Sequence, residues 1–489
     1  MSELLGHPLV RSVREVAQAQ HVPLLLVGGA VRDMLLGKQA HDLDFAVRGN
    51  AKTLARGVAD ALGGAFYLMD AERNTARVII ARQGQPAFYL DFAVCRGDTW
   101  EEDLFGRDFS LNAIALDMQT GAMLDATGGQ ADLARRVVRQ VTPHAVTDDP
   151  VRALRAVRIA LALNCTLDPA TAQAARAAAA LLHKPSPERV RDELMKALGL
   201  PNAARAVRWF DELGLLSAIM PEVTPLRDCT QSPPHRYAVL EHTFVVLDYV
   251  DMLIESLRGL QNLLGLQPKE VSALLAQLDA PTTGERTRGA TFRLAVLLHD
   301  SAKPLKRYVG EDGRIHFTGH EEAGAGIAAA RAEALRLSGN EVDQVRITVQ
   351  HHGQPNRIAR ENPPSPHTIH RYMQATGMCA PEIALFCPAD GYGKAAADSS
   401  AEDMQRRRAI AARLIEQYYA HYSPAVAPKP LIGGKEVMAL GVRQGPRIGQ
   451  ILNAVREAQM IGEINTPTEA LALARQLNAQ IGTTSPAED

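Results

Sequence analysis

Long hydrophobic runs are missing from this 489-residue chain. No apolar stretch is long enough to span a bilayer, which excludes a helical membrane span and a membrane partner. The opening residues, MSELLGHPLVRSVREVAQAQ, read as a helix with neither a basic n-region nor an apolar h-region, so no signal peptide is expected. Cysteine is scarce: Cys95, Cys165, Cys229, Cys379 and Cys387 form an odd set without CxxC spacing. That excludes a zinc ribbon and fits a reduced, cytoplasmic protein better than a disulfide framework. An excess of one charge is missing too, since 53 Lys and Arg face 55 Asp and Glu for a formal charge of −2. The chain as a whole is not a polycation, so a nucleic-acid site must concentrate its positive charge locally. There is no internal repeat and no low-complexity tract.

What is present is ordinary globular material, 46% hydrophobic, in a chain too long for one compact core and sized for two to four domains. Up to about residue 140, short β-like runs (PLLLVGGAV, DLDFAV, ARVIIAR, AFYLDFAV, NAIALDM) alternate with helical patterns. Beyond that the chain is helical. Turn-rich PEVTPLRDCTQSPPHRY places a boundary near Pro225, and Pro-rich SPAVAPKP marks a second linker. The last residues, TTSPAED, read as disordered.

Gly28 and Gly29 follow an apolar run and precede AVRDMLLG, a strand–turn–helix whose first N–H groups suit a phosphate. This is neither G-x-G-x-x-G nor G-x-x-x-x-G-K-[ST], so neither a Rossmann nor a P-loop site. Asp42 and Asp44 lie two apart on a short strand and point to one face. Two carboxylates so close repel unless a cation sits between them, and Mg²⁺ also bridges substrate phosphates. Asp91 in AFYLDFAV is the candidate third carboxylate. Read alone, Asp42 and Asp44 fit ordinary strand-end aspartates equally well. Arg107, Asp108 and Asn112 interrupt the apolar pattern of GRDFSLNAIALD. In TDDPVRALRAVRIA, Asp149 stands three before Arg152, and Arg152, Arg155 and Arg158 share one helix face. Alone, that face is a solvated basic stripe.

Together, VGGAVRD…LG…DLDFAV, RDFSLNAIALD, DDPVRALRAVRIAL and PERVRDELMKAL, in this order over about the first 220 residues, resemble the class II tRNA nucleotidyltransferase and bacterial poly(A) polymerase family. The resemblance implies an α+β fold: a polymerase-β-like palm with a mixed sheet and helices (1–140), then an all-α neck (141–225), HD domain (226–428) and tail (429–489). It implies that Asp42 and Asp44 hold catalytic Mg²⁺, and that Gly28, Gly29 and Arg32 lie against the triphosphate. Arg107, Asp108 and Asn112 would touch ribose and phosphates. Arg155 and Arg158 would face the triphosphate or the neck, and Glu188 and Arg189 would brace the base-reading helix. Asp149 and Arg152 suit base reading: a carboxylate accepts from the amino group of C or A, and a guanidinium donates to the adjacent ring acceptor. The implied partners are tRNA, CTP and ATP, with no obligate protein partner evident.

CCA-adding members of that family carry a charged loop before RDF in a DYxDxRRP-like pattern. Here CRGDTWEEDLFG alone fills that connection, and Gly106 stands where the family often has arginine. A missing loop implies a CC-adding enzyme. A full CCA-adding enzyme is the alternative, ahead of a poly(A) polymerase, for which no long basic C-terminal extension is present.

A second constellation comprises His242, His299 and Asp300 (an HD pair), His320, His351 and Asp390. Imidazole and carboxylate together suit a divalent transition metal. The order resembles the HD phosphohydrolase superfamily, implying His242, His299, Asp300 and Asp390 as first ligands and His320 and His351 for a second metal. HDSAKP departs from the family's usual glycine before the lysine. Two readings stand here: an active phosphohydrolase or phosphodiesterase acting on nucleotides or RNA ends, or a helical body that retains its ligands. The segment GGKEVMALGVRQGPRIGQILNAVREAQMIGEI also resembles the tail of HD-containing transferases, which implies tRNA backbone contacts from Lys435, Arg443 and Arg447; a solvated, capped helical module is the plain reading.

Overall fold

The computed structural model describes residues 7–38, 40, 42–82, 85–259, 261–361, 363–395, 400–424 and 428–482. The expected disorder of TTSPAED and the middle of the SPAVAPKP linker (425–427) lie outside them. The chain divides into two compact units, one comprising Met1–Leu194 and Trp209–Ile219, the other Met195–Arg208 and Met220–Asp489.

In the first unit, α1 (Pro8–Ala19) starts on a proline and buries Leu9, Val10, Val13 and Ala17 along one stripe. Strand β1 (Leu24–Val27) is buried throughout, as a central strand must be. It leads into α2 (Gly29–Leu35) and β2 (Asp42–Val47). Next come α3 (Ala51–Leu62), capped by the Asn50 side chain, and β3 (Ala65–Asp70), β4 (Thr75–Arg82) and β5 (Gln85–Val94). The strands β6 (Ala115–Asp117) and β7 (Met123–Leu124) follow. Among the described residues these strands form one sheet, β3-β4-β5-β2-β1-β6-β7. It is mixed: β2 and β5 run parallel, while the other pairings are antiparallel.

Register decides which residues meet. One face turns Leu43, Phe45, Leu90, Phe92 and Val78 into a core shared with α1 and α3, with the Phe45 and Phe92 rings stacked at 5.0 Å. The other face carries a row across four strands: Asp44 opposite Asp91, Asp91 opposite Arg77, Arg77 opposite Tyr67. Helix α4 (Trp100–Phe105) lies between β5 and β6, and α5 (Val151–Ala162) and α6 (Pro187–Leu198) follow the sheet.

Among the described residues, the second unit is helical apart from a short hairpin, Tyr308–Val309 with Ile315–His316. Its relevant helices are α7 (Val239–Arg258), α8 (Arg288–Leu298), α9 (His320–Ala334), α10 (Gly339–His351) and α11 (Phe386–Ala395). Helix α8 is buried from Gly289 to Leu298, a central helix that delivers His299 and Asp300 at its end. The tail helices α12 (Gly434–Ala439), α13 (Pro446–Met460) and α14 (Pro467–Gly482) close around their own core of Val437, Ile451, Val455, Ala470 and Ala474. No helix among the described residues is long and apolar enough to cross a membrane. The architecture is thus α+β, a mixed sheet with helices followed by an all-α region.

The start of α10 is fixed by Glu341. It caps Ser338 (2.8 Å to N, 2.7 Å to Oγ), accepts two bonds from Arg286 (2.8 and 2.9 Å) and one from Thr282 (2.7 Å). Burial opposes its charge, but these donors lower its pKa from 4.5 to about 2. Stability from a depressed carboxylate is complete above the unfolded value and lost as pH falls through the folded one. Thermal unfolding from pH 7 down to 2 should therefore show Glu341→Gln destabilised above about pH 5, with the gap to wild type closing toward pH 2. A gap independent of pH would contradict this account.

Candidate active site

At the end of β1 the chain turns at Gly28, with φ 78° and ψ −142°, a conformation open essentially to glycine. A Cβ there would lie 3.1 Å from Oδ2 of Asp44. The turn therefore passes directly under the carboxylate, and glycine is required for backbone and for space. Burial and the charges of Asp91 and Asp42 push the Asp44 pKa up to about 6 against the pull of Arg107. A half-buried carboxylate strained by two like charges suits a divalent cation. Asp42, Asp44 and Asp91 are the residues that would hold it. Both oxygens of Asp91 take bonds from Arg77 at 2.7 Å, a partner that sequence reasoning did not single out.

Around this turn runs a continuous polar chain. Arg32 bonds Asp33 (2.8 Å) and the Asn112 carbonyl (2.7 Å); the Asn112 amide donates to Asp108 (3.1 Å); and Arg155 donates to Asp108 (3.0 Å). Arg155 also donates to Glu193 (2.7 Å), whose second oxygen takes Arg158 (2.7 Å). Burial works against the Asp108 charge, yet Arg155, Asn112 and the Phe109 N–H hold its carboxyl below the ordinary value. Asp108 and Asn112 thus meet protein partners, and Arg155 and Arg158 do not form a solvated stripe. Glu193 is 6% exposed. Its signal was present in PERVRDELMKAL: with Val190, Leu194 and Ala197 it falls on the i, i+3, i+4, i+7 apolar stripe, where a carboxylate needs a partner.

Asp149 is held by Arg189 (2.7 Å) and lies 3.6 Å from Arg152. Arg152 donates to the carbonyls of Arg107 (3.2 Å), Ala145 (3.1 Å) and Gly106 (3.4 Å), while its buried Nε, the atom nearest Asp149, makes no hydrogen bond. Arg107 is clamped by Asp103 (3.0 and 2.8 Å). The connection before Arg107 is tied down. Thr99 and Glu102 form a capping box at α4, Arg48 lies 4.6 Å over the Trp100 ring, and Arg96 donates to the Gly106 carbonyl (2.7 Å). Glu188, expected beside Arg189, stands in the first turn of α6.

The second unit converges on Asp300. Its oxygens lie 3.1 Å from His299 Nε2, 3.6 Å from His242 Nε2, 3.5 Å from His320 Nε2 and 3.8 Å from His352 Nε2. His242 is also 3.3 Å from Asp390. The ligand atoms of His242, His299 and Asp390 lie within 4.8 Å of one another, as do those of His299, Asp300 and His352, and of His320, Glu321 and His352. Nδ1 of His299, His320 and His352 donates to the carbonyl three residues earlier (2.7–2.8 Å), so each Nε2 presents its lone pair inward. The buried Nε2 of His242 and His299 and Oδ1 of Asp300 have no hydrogen-bond partner, while Oδ2 of Asp300 meets the Lys303 ammonium at 2.7 Å. Such orphaned acceptors fit a metal.

His351 corrects the expectation. It ends α10 and bonds Gln354 (2.9 Å), outside these ligand groups; His352 takes the place assigned to it. Adjacent helical residues point about 100° apart, so only one of the pair faces Asp300. Glu321, held by Arg357 (2.7 and 3.0 Å), was likewise missed, because an exposed-looking helix start gives it no signal. In the tail, Lys435 and Arg443 are exposed, whereas Arg447 is half-buried and donates to the Asn478 carbonyl of α14.

Glu193→Ala leaves two guanidiniums without their shared carboxylate and should cost about 3 kcal/mol or more in urea unfolding; a loss below about 1 kcal/mol would reduce the pair to a surface bridge. In an Asp44→Asn background, calorimetric titration with Co²⁺ should weaken at least about tenfold for His352→Ala and stay unchanged for His351→Ala. Equal losses would reinstate His351.

Residues 24–139 match the poly A polymerase head domain, and residues 164–226 match the family described as "Probable RNA and SrmB- binding site of polymerase A". The chain is 35% identical over 464 residues to the A-adding tRNA nucleotidyltransferase of Deinococcus radiodurans, covering 92% of this chain and 94% of that protein. It is 32% identical over 453 residues to the CC-adding tRNA nucleotidyltransferase of Thermus thermophilus, covering 91% and 92%. A solved CCA-adding enzyme with CTP shares the fold at a TM-score of 0.63 and 19% identity, over 98% of each chain. With full-length relatives on both sides and the carboxylates and glycine turn assembled at one place, the chain belongs to the tRNA nucleotidyltransferase family, enzymes that add nucleotides to tRNA.

Proposed function

We propose that this enzyme adds two cytidines from CTP to the tRNA 3′ end and stops. The observation that carries the reading is the fixed connection before Arg107. Arg152, the base-reading guanidinium, is bonded to the backbone carbonyls of Gly106 and Arg107, and that backbone is held in turn by Arg96 and the α4 capping box. A reader anchored to a fixed segment has one setting, and a switch from C to A needs a second.

Asp149 accepts from the cytosine amino group and Arg152 donates to the neighbouring ring acceptor, so U and G, with a carbonyl in place of the amino group, are refused. Arg32, steered by Asn112, and the Gly28–Gly29 turn face the triphosphate. Asp42, Asp44 and Asp91 would hold Mg²⁺, which would supply positive charge to activate the 3′-hydroxyl and to stabilise the leaving pyrophosphate. Lys435 and Arg443 contact tRNA phosphates; Arg447 serves the tail's own packing. Terminal A addition is a second reading, supported by the likeness to the Deinococcus radiodurans A-adding enzyme. The histidine cluster opens into a cavity of about 760 Å³ bearing Lys303, Arg357 and Lys394. That supports a separate metal-dependent phosphoester hydrolysis beside the transfer.

The test offers CTP, ATP or both to tRNA ending at the discriminator base and to tRNA ending in CC. Two additions with CTP and none with ATP are expected. One A on the CC-ended tRNA alone would establish the A-adding reading, three additions the full CCA reading, and a long ladder with ATP a poly(A) polymerase. Asp44→Asn should abolish every product; persistence of any would sink the metal assignment.

A further inference from the structure

The row that holds Asp44 continues past the carboxylates. It runs through Asp91 on β5 and Arg77 on β4 to Tyr67 on the edge strand β3. A neighbouring row on the same face sets Tyr89 of β5 opposite Asp42. Strands stand about 4.8 Å apart, so Tyr67 lies three strands, about 14 Å, from Asp44. The Arg77 guanidinium lies 5.2 Å from the centre of the Tyr89 ring and donates two bonds to Asp91. The apolar cluster on this face draws on Leu25, Val27, Ala46 and Ala115, from β1, β2 and β6. Among the described residues, β3, β4 and β5 add nothing to it, and Tyr67 is 51% exposed.

We infer that Tyr67, with Tyr89 behind it, is a stacking platform for the unpaired bases of the tRNA 3′ end. The inference rests on the transfer reaction above: the strand whose terminal hydroxyl must reach Asp42 and Asp44 passes over the face that leads to them. Aromatic rings hold single strands by stacking on any base. That tolerance fits an acceptor whose last base changes with each addition. Asp91 neutralises Arg77, so the platform grips bases rather than phosphates and contributes no counterion release.

The test is steady-state kinetics of the first addition by the full chain, with whichever nucleotide wild type adds first. Tyr67→Ala should raise KM for tRNA about tenfold and leave KM for the nucleotide within about twofold, while Tyr67→Phe restores wild-type values. The salt dependence of tRNA binding should be unchanged. Wild-type KM for tRNA in Tyr67→Ala would overturn the inference, as would a parallel rise in both KM values with a lowered melting temperature. A concentration-dependent dimer that Tyr67→Ala dissolves, with KM for tRNA unchanged, would give the edge to a second copy and overturn it too. Wild type that transfers nothing to tRNA would bring down the transfer reading itself.

Discussion

Arg155 sits between two buried carboxylates, Asp108 and Glu193, and the first unit's polar site depends on that arrangement. A buried charge is tolerated only when paired and hydrogen-bonded. Here the pairing runs on without a break: Glu193 binds Arg158, Asp108 binds Asn112, and Asn112 binds Arg32 beside the glycine turn. Each member satisfies the next. Helix α6, helix α5, the Asp108 turn and helix α2 are thereby joined through side chains. The residues that resemblance assigns to nucleotide are also those that hold the site's walls together, so their positions are set before any ligand arrives.

The second unit uses the opposite device. Three of its imidazoles, His299, His320 and His352, are aimed by backbone, the Nδ1 of each taken by a carbonyl one turn back, and with His242 they leave Asp300 with four Nε2 atoms within 3.8 Å. Lys303 at 2.7 Å from Asp300 and Lys394 at 2.7 Å from Asp390 offset negative charge at the rim. One site is organised by side-chain pairing, the other by helix ends that converge on a central buried helix.

The fold was largely legible because the central strands and amphipathic helices advertise themselves by burial pattern. Strand β3 did not: its residues are exposed or half-exposed, so no alternation marks it, and only pairing with β4 reveals it. Residue types at the sites were legible from spacing, but partners were not. Spacing names Asp91 and leaves Arg77 unseen; it names His351 and cannot say that the ring of its neighbour His352 is the one that turns inward. The resemblance assigns Asp108 and Asn112 to ribose and phosphate, and local pattern does not show the protein partners that the structure also gives each. Pairing across a sheet or between helices distant in sequence is the information that local pattern lacks.

The bonds that hold Arg152 end on backbone carbonyls, not on side chains. A carbonyl survives substitution at its own position, so replacements between Cys95 and Arg107 that spare Arg96, Thr99, Glu102 and Asp103 leave the anchor intact. A change in the number of residues there does not, because it moves the carbonyls themselves. On the proposed reading, descent would alter the choice of nucleotide through insertion or deletion in one short segment more readily than through replacement of residues that do not hold its backbone.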